Sequence, residues 1–600
     1  MVNCLTTGNT LPGKRRTMAA TSIAKLAMVA AFAITCTGWA SAAVVPSTNI
    51  CTMLPAKSSA VIIFRNPAAL DRKIVQMERD LKIPMQQDPL QSTENSMNLI
   101  GNIKEDQPAA VVMLDRPKGS IEPASQWAVV AVAVKNYAAM QKNYQCGTAQ
   151  DGINSGQDPS GNPIFIAQEN GYALLSPVKQ ALQAFIANKQ MLSSTLSPTY
   201  SRAIEKNDVS AYLNMSILGP GAKAELDAYF QMMLGFEASD PSQADALVTQ
   251  LGFERLIGQF LTNSRRQFIG IHITNRGITL QNSGDMKPGT PMGQLVAAQP
   301  TLEASPLGGL PNGRYVAATA AVFNGLAFSQ WFTTLEKSGQ QNGITASVEK
   351  KLDSAITQYQ GMIANESGSR AVVLSSRRGH GLSVVELGTY ADAAKGLKTA
   401  EAMIPAMMKK MQSTGPVPFK IVVTPNAVNT NGVSLTQIHM SANGANAASV
   451  ASVFKMIFGS PALVEYAGAT NNHNIIVAAN VHKSGMASLI ATSRANVDNL
   501  SKRESIRDVQ SHVLPHANFV MYILINRMLS DVAGNLRKAN GLPQPTTKGL
   551  VLGRRFLPMV VSTSARGNRI SAKIFIPMAT LEDTINQGRA IVPLFALMAQ

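Results

Sequence analysis

The sequence predicts an α+β protein of two similar domains from an internal duplication, with antiparallel hairpin-built sheets and packed helices. Three observations predict this. Alternating apolar stretches are joined by Asn-Gly and Arg-Gly pairs, the residue chemistry of tight reversals between strands. Tracts of helical period follow several of these stretches. The same order of strand-helix units, each series closed by a hairpin, occurs once in each half of the 600 residues. That length exceeds what one hydrophobic core usually organises.

Taken in order, residues 1–42 read as a leader. In "MAATSIAKLAMVAAFAITCTGWASA", Lys25 precedes an apolar run from Leu26 to Ile34, and Ala40-Ser41-Ala42 has the small-x-small pattern of a cleavage site. Met18 is an alternative start, because Lys14, Arg15 and Arg16 stand awkwardly ahead of the pattern. The run is shorter than the ~20 residues a membrane span needs. No later stretch is long and apolar enough either, so the mature chain is expected to have no span. Ala33-Ile34-Thr35 before Cys36 does not fit a lipoprotein signal. Cleavage near Ala42 leaves Cys51 and Cys146, and in an exported protein these are candidates for one disulfide.

Residues 43–284 are expected to form the first α+β domain. "IFIAQENGYALLSPVKQALQAFIANK" (Ile164 to Lys189) reads as strand, Asn-Gly turn, strand and helix, with Ser176-Pro177 opening the helix. "NDVSAYLNMSILGPGAKAELDAYFQMM", from Asn207, reads as strand then helix. "RRQFIGIHITNRGITLQNSG" (Arg265 to Gly284) closes the series as a hairpin turning at Arg276-Gly277. "DGINSGQDPSGNP" (Asp151 to Pro163) reads as a surface loop, since Ile153 spoils a calcium-loop spacing. Residues 285–313 hold five prolines and a Gly-Gly pair and are expected to be a linker.

Residues 314–600 are expected to repeat the plan. "SRAVVLSSRRGHGLSVVELGTY" and "KIVVTPNAVNTNGVSLTQIHM" are hairpins, the second turning at Asn431-Gly432. "ADAAKGLKTAEAMIPAMMKKMQ" has helical period, interrupted at Pro405. "HNIIVAANVHKSGMASLIATSR" (His473 to Arg494) and "HANFVMYILINRMLSDVAGNLRKA" (from His516) parallel the two strand-helix units of the first half. "RRFLPMVVSTSARGNRISAKIFIP" (Arg554 to Pro577) closes the series, turning at Arg566-Gly567.

"LPAKSSAVIIFRNPAALDRKI" (Leu54 to Ile74), "GYALLSPVKQALQAF", "DVSAYLNMSILG" and "IGIHITNRGITLQNSGD" together resemble a large family of uncharacterised exported bacterial proteins. Members begin the mature chain with a Leu-Pro-Ala phrase and a strand, then repeat strand-helix units. The resemblance covers most of residues 50–300. It implies an exported α+β chain and transfers no catalytic or cofactor residues.

Catalytic signatures are few. The chain has no Gly-x-Ser-x-Gly, His-Glu-x-x-His, Cys-x-x-Cys, phosphate-loop or Gly-x-Gly-x-x-Gly pattern. Ser176-x-x-Lys179 and Ser347-x-x-Lys350 lack the partner motifs of acyl-transfer enzymes. His512 and His516 are four apart, but Pro515 between them argues against a helical metal pair. Met403, Met407 and Met411 read as a core stripe rather than a copper face. No cofactor is implied.

Charge is the feature that stands out. Residues 43–300 hold 21 basic and 21 acidic residues, and residues 301–600 hold 28 and 15, a net +13. Arg377, Arg378, Arg554, Arg555, Arg566, Arg569 and Lys573 fall at loops and strand ends, as anion-contact candidates. Aromatics are only 6%, too sparse for the stacking that single-stranded nucleic acid needs, so an anionic envelope polysaccharide or lipid surface is the expected partner. The expected function is therefore non-enzymatic binding or support in the envelope. Two other readings stay open: a hydrolase with a non-local site, and a carrier of an apolar ligand.

Overall fold

The computed structural model describes residues 47–83, 88–117, 123–237, 244–302, 307–338, 368–377, 381–414, 418–444, 447–495, 499–531 and 556–586. The leader lies outside them. The chain is α+β, with helices set beside antiparallel strands, and it divides into two compact units. One is Met1–Ala56 with Ile62–Ser210; the other is Lys57–Val61 with Ala211–Gln600. The Pro/Gly-rich segment 285–313 falls inside the second unit. It contains a short helix, Pro291–Ala297, and Leu307 and Leu310 belong to that unit's core.

The strands in chain order are β1 (Ser58–Phe64), β2 (Ala109–Leu114), β3 (Ala128–Ala133), β4 (Asn154–Gln157), β5 (Pro163–Glu169), β6 (Tyr172–Ser176), β7 (Val209–Leu213), β8 (Ser264–Thr274), β9 (Gly277–Met286), β10 (Ala317–Phe323), β11 (Gly368–Arg377), β12 (Gly381–Thr389), β13 (Phe419–Thr430), β14 (Val433–Ala442), β15 (Ala462–Ala469), β16 (Asn474–Ala479), β17 (Phe519–Ile523), β18 (Met559–Arg566) and β19 (Arg569–Pro577).

In the first unit β2, β3, β6, β5 and β4 pair antiparallel in that order. Alternate residues of β2 are buried, the pattern of a sheet with one face on a core. That core holds Leu99, Ile103, Val132, Met140, Tyr144, Ile166 and Leu175. The turn Asn170-Gly171 has φ of 50° and 80°, the double positive φ that a two-residue hairpin loop requires. Residues 151–163 are more ordered than a loop. β4 pairs with the start of β5, and Asp158 accepts hydrogen bonds from the Ser160 and Asn162 amides, 2.8 Å each.

Helix starts follow one rule. Asn66-Pro67, Asp88-Pro89, Ser197-Pro198 and Thr290-Pro291 each put an oxygen-bearing cap before a proline at the first helical turn. The cap side chain accepts an orphan amide, and proline has no amide to satisfy. Ser176-Pro177 departs from the rule. Its helix runs Lys179–Ala187, and Ser176 instead accepts the Val178 amide at 3.2 Å in a tight local turn.

In the second unit, among the described residues, twelve strands pair antiparallel in the order β8, β9, β19, β18, β17, β10, β11, β12, β16, β15, β14, β13. The hairpins expected at 368–389 and 419–442 both form, the latter turning at Asn431-Gly432 with φ of 53° and 71°. Pro405 lies within one helix, Ala393–Thr414, rather than ending it. The core runs from Leu307 and Tyr315 through Val373, Leu435 and Ile490 to Val560 and Phe575. Helices Met215–Glu237 and Ala244–Asn263 approach closely at Gly219, where a Cβ would stand 2.4 Å from the Leu261 carbonyl oxygen. Among the described residues no helix is long and apolar enough to cross a membrane.

The expected bridge between Cys51 and Cys146 is not formed; both are free thiols. Cys51 is buried in the opening 3-10 turn, Ser47–Thr52, where burial pushes its thiol up to about 12. Cys146 lies against Gly156, at the edge of the first unit's core, and burial raises it too. Each sulfur is held by its own packing.

Candidate functional site

The structure places the sequence-derived cations unevenly. Arg378, Arg554 and Arg555 lie outside the described residues. Arg377 ends β11, in register with Gly381. Arg566, Arg569 and Lys573 belong to the closing hairpin, and here the structure adds what the sequence did not suggest. The two similar hairpins are zipped to each other. β9 runs antiparallel to β19, from Gly277 opposite Pro577 to Asp285 opposite Arg569.

This seam is partly polar. Ser283 and Ser571 share a hydrogen bond of 3.0 Å between hydroxyls, and Arg569 Nε donates to Asp285 Oδ1 at 2.7 Å. Arg569 is therefore charge-matched within the sheet. Arg566 stays exposed at the turn. Lys573 stands opposite Gln281. His512 stacks flat on Phe575, centroids 3.4 Å apart. Burial, then the nearby Lys573 and Arg276 charges, hold its imidazole below the usual histidine range. His512 is thus a packed ring at the end of a 3-10 turn, Gln510–His512, rather than a loop side chain.

A second cationic cluster was not visible in the sequence. Tyr315, fully buried, enters the core just ahead of β10. Three arginines meet around it. Arg314 precedes it in the chain and donates through Nη2 to Asp531 Oδ1 at 2.7 Å. Arg503, between a 3-10 turn and the helix Glu504–Arg507, donates through Nη1 to the Gly313 carbonyl at 2.7 Å. Its guanidinium carbon lies 5.6 Å from the Tyr315 ring centroid. Arg527, in the helical stretch that begins two residues after β17, donates through Nη1 to the Tyr315 carbonyl at 3.0 Å and lies 4.7 Å from the Phe556 ring centroid.

The positions are fixed by buried neighbours. The Leu524 amide donates to the Val316 carbonyl at 2.8 Å, locking the chain before Arg527 to the chain after Tyr315. Tyr522 donates from its hydroxyl to Gln510 at 3.0 Å, and the Tyr315 and Ser505 hydroxyls are 3.3 Å apart. Burial raises both phenols above the ordinary tyrosine value.

Electrostatically the cluster is unbalanced. Arg314 and Asp531 form an ion pair, with Asp531 5% exposed. Arg503 and Arg527 meet carbonyl dipoles instead, which accept their hydrogen bonds without cancelling their charge. Burial, with Arg314 and Arg503 alongside, holds the Arg527 guanidinium below its ordinary value. Such a group favours an anion that restores its balance. Arg503 stands in "SKRESIRD", which reads as basic; Arg314 and Arg527 are single arginines without periodicity, and only the fold joins them.

No family model matches the chain. No curated protein matches it either. Among solved structures, crystal forms III and IV of TP0453 match at 10% identity and a TM-score of 0.20, over 47% of this chain and 98% and 97% of theirs. Crystal form I matches at 11% identity and a TM-score of 0.19. Likeness at this level supports no statement about fold or function.

Proposed function

We propose that this is an exported, non-enzymatic binding or structural protein of the cell envelope, whose basic second half contacts an anionic polymer or surface. The observation that carries the reading is the unbalanced cluster of Arg314, Arg503 and Arg527, with Asp531 as its paired carboxylate. It lies in the half that holds the net +13, so local and overall charge point the same way. Export follows from the leader pattern in residues 18–42. The internal duplication belongs to the same proposal. The strand-helix order at Val209–Glu237 and at 519–531 supports it, as do the two alike hairpins, although their pairing in one sheet is a later elaboration on this view.

The test is retention of the full mature chain on anionic matrices. Retention should fall steeply between 50 mM and 500 mM salt, as screening shortens to a few ångströms. The double variant Arg554→Ser, Arg555→Ser should elute earlier. Retention indifferent to salt and to those charges would refute the proposal.

A further inference from the structure

We infer that Arg314, Arg503 and Arg527 form a binding site for a phosphate group, whether free or carried on a lipid headgroup. The inference rests on the surface-binding reading and narrows its ligand to one chemistry.

Convergence is the first argument. The Arg503 guanidinium lies over the Tyr315 ring, that of Arg527 is bonded to the Tyr315 carbonyl oxygen, and that of Arg314, the residue before Tyr315, reaches Asp531, four residues beyond Arg527. Tyr315 is fully buried, so the three are referred to a fixed point. Charge is the second. Three guanidiniums less one carboxylate leave two uncompensated positive charges, which match a phosphate dianion better than a single carboxylate. Glu504, beside Arg503 in sequence, is exposed and forms no ion pair with the three arginines.

Donor capacity is the third. Each guanidinium offers five N–H donors in a plane, and the contacts described occupy one nitrogen of each. Two adjacent nitrogens on one edge can grip two oxygens of one phosphate, which is why arginine forks recur in phosphate recognition. Ring contacts with Tyr315 and Phe556 hold two of the planes, so less side-chain freedom is lost on binding. A purely structural role, tying the 311–316 turn to residues 500–531, predicts the same hydrogen bonds but no ligand.

Calorimetry of the full mature chain with inorganic phosphate at low salt separates the two roles. One phosphate should bind per chain, and Arg503→Gln should weaken it at least tenfold, with Arg503→Lys in between. Arg503 is the residue to change, because its acceptor is a carbonyl at a turn rather than a buried carboxylate. If Arg503→Gln does not fold, the unmodified chain still decides. Phosphate should slow phenylglyoxal modification of Arg503 but not of exposed Arg566. Absence of phosphate binding, equal affinity in Arg503→Gln, or equal modification of Arg503 with and without phosphate overturns the site.

Vesicles distinguish the sources. Tighter binding to phosphatidylglycerol vesicles than to free phosphate, lost in Arg503→Gln, assigns a lipid headgroup; phosphate binding without vesicle binding assigns the free ion. Salt-sensitive retention on anionic matrices without phosphate binding sinks this inference and leaves the surface reading standing. Phosphate binding without any such retention does the reverse.

Discussion

Gly277 and Gly567 stand in the same phrase, Arg-Gly, and do different things. Gly567 has φ of +56° and open space where a Cβ would go. It serves the turn alone. Gly277 has φ of +151°, and a Cβ there would meet the Ile576 carbonyl oxygen at 2.2 Å and the Pro577 Cα at 2.9 Å. It serves the close approach of β19. Gly567→Ala should cost about 1–2 kcal/mol, the penalty of a left-handed residue with a side chain. Gly277→Ala should cost more, because strain is joined by overpacking of about 1–3 kcal/mol against backbone that cannot swing aside. Urea midpoints of the two variants check the order; a smaller shift for Gly277→Ala would contradict it. The demand on Gly567 was legible in the sequence because positive φ is local; the first hairpin instead reverses at Asn275-Arg276, and Gly277 is already in β9, opposite Thr274. The demand on Gly277 was not legible, because its cause arrives from the far end of the chain.

Individual elements were legible where a short-range rule governs them. Asn-Gly turns and alternating strands each need only a few neighbouring residues, and they form where the pattern places them; the cap and proline read at Ser176-Pro177 do not open the helix, which starts at Lys179. The partner of each hairpin was not legible, because β9 and β19 are alternating stretches that would suit many neighbours. The Asp285–Arg569 bond selects between registers, since a slip of one residue would point the two to opposite faces. The start of the helix Pro89–Ser96 carries a further consequence of long-range placement. The Leu90 amide is shared by Asp88, its own cap at 3.1 Å, and by Asp71 of the preceding helix at 3.0 Å. Burial above all pushes the Asp71 carboxyl up to about 7; the Asp88 contact and the Asp88 and Glu105 charges add to this, against the Leu90 hydrogen bond. From the ordinary value of 3.8 to about 7, the folded chain keeps a proton that the unfolded chain has released. Stability from this group therefore falls as pH rises through that window and is level above it. Asp71→Asn keeps an oxygen for the Leu90 amide and should flatten the slope, gaining stability relative to the unaltered chain at pH 8. Denaturant unfolding from pH 4 to pH 8 measures this; parallel profiles for the two proteins would refute the assignment.

At the scale of the whole chain, charge asymmetry could be counted from the sequence, while the order of strands could not. Counting needs no contacts, whereas the steps β9 to β19, β17 to β10 and β12 to β16 are each a choice of partner across long separations. The order makes the last hairpin structurally central: β18 pairs with β17, β19 pairs with β9, and Val560 and Phe575 sit in the second unit's core. A chain ending at Leu557 would lose those side chains and leave β9 and β17 each without one neighbour. Exposed strand edges of that kind pair with other chains. The truncated protein should therefore lose cooperative unfolding in the second unit and elute as aggregates on size exclusion. In a chain without residues 1–42, which removes Trp39, tryptophan reports each unit separately, because Trp127 is buried in the first and Trp331 in the second. With Trp127→Phe as background, the Trp331 emission should be red-shifted in the truncated chain before any urea is added. With Trp331→Phe as background, the Trp127 transition should move far less. Equal loss of both transitions would mean that the last hairpin supports both units, and an unchanged Trp331 transition would mean that the seam between the two hairpins contributes little to the second unit's core.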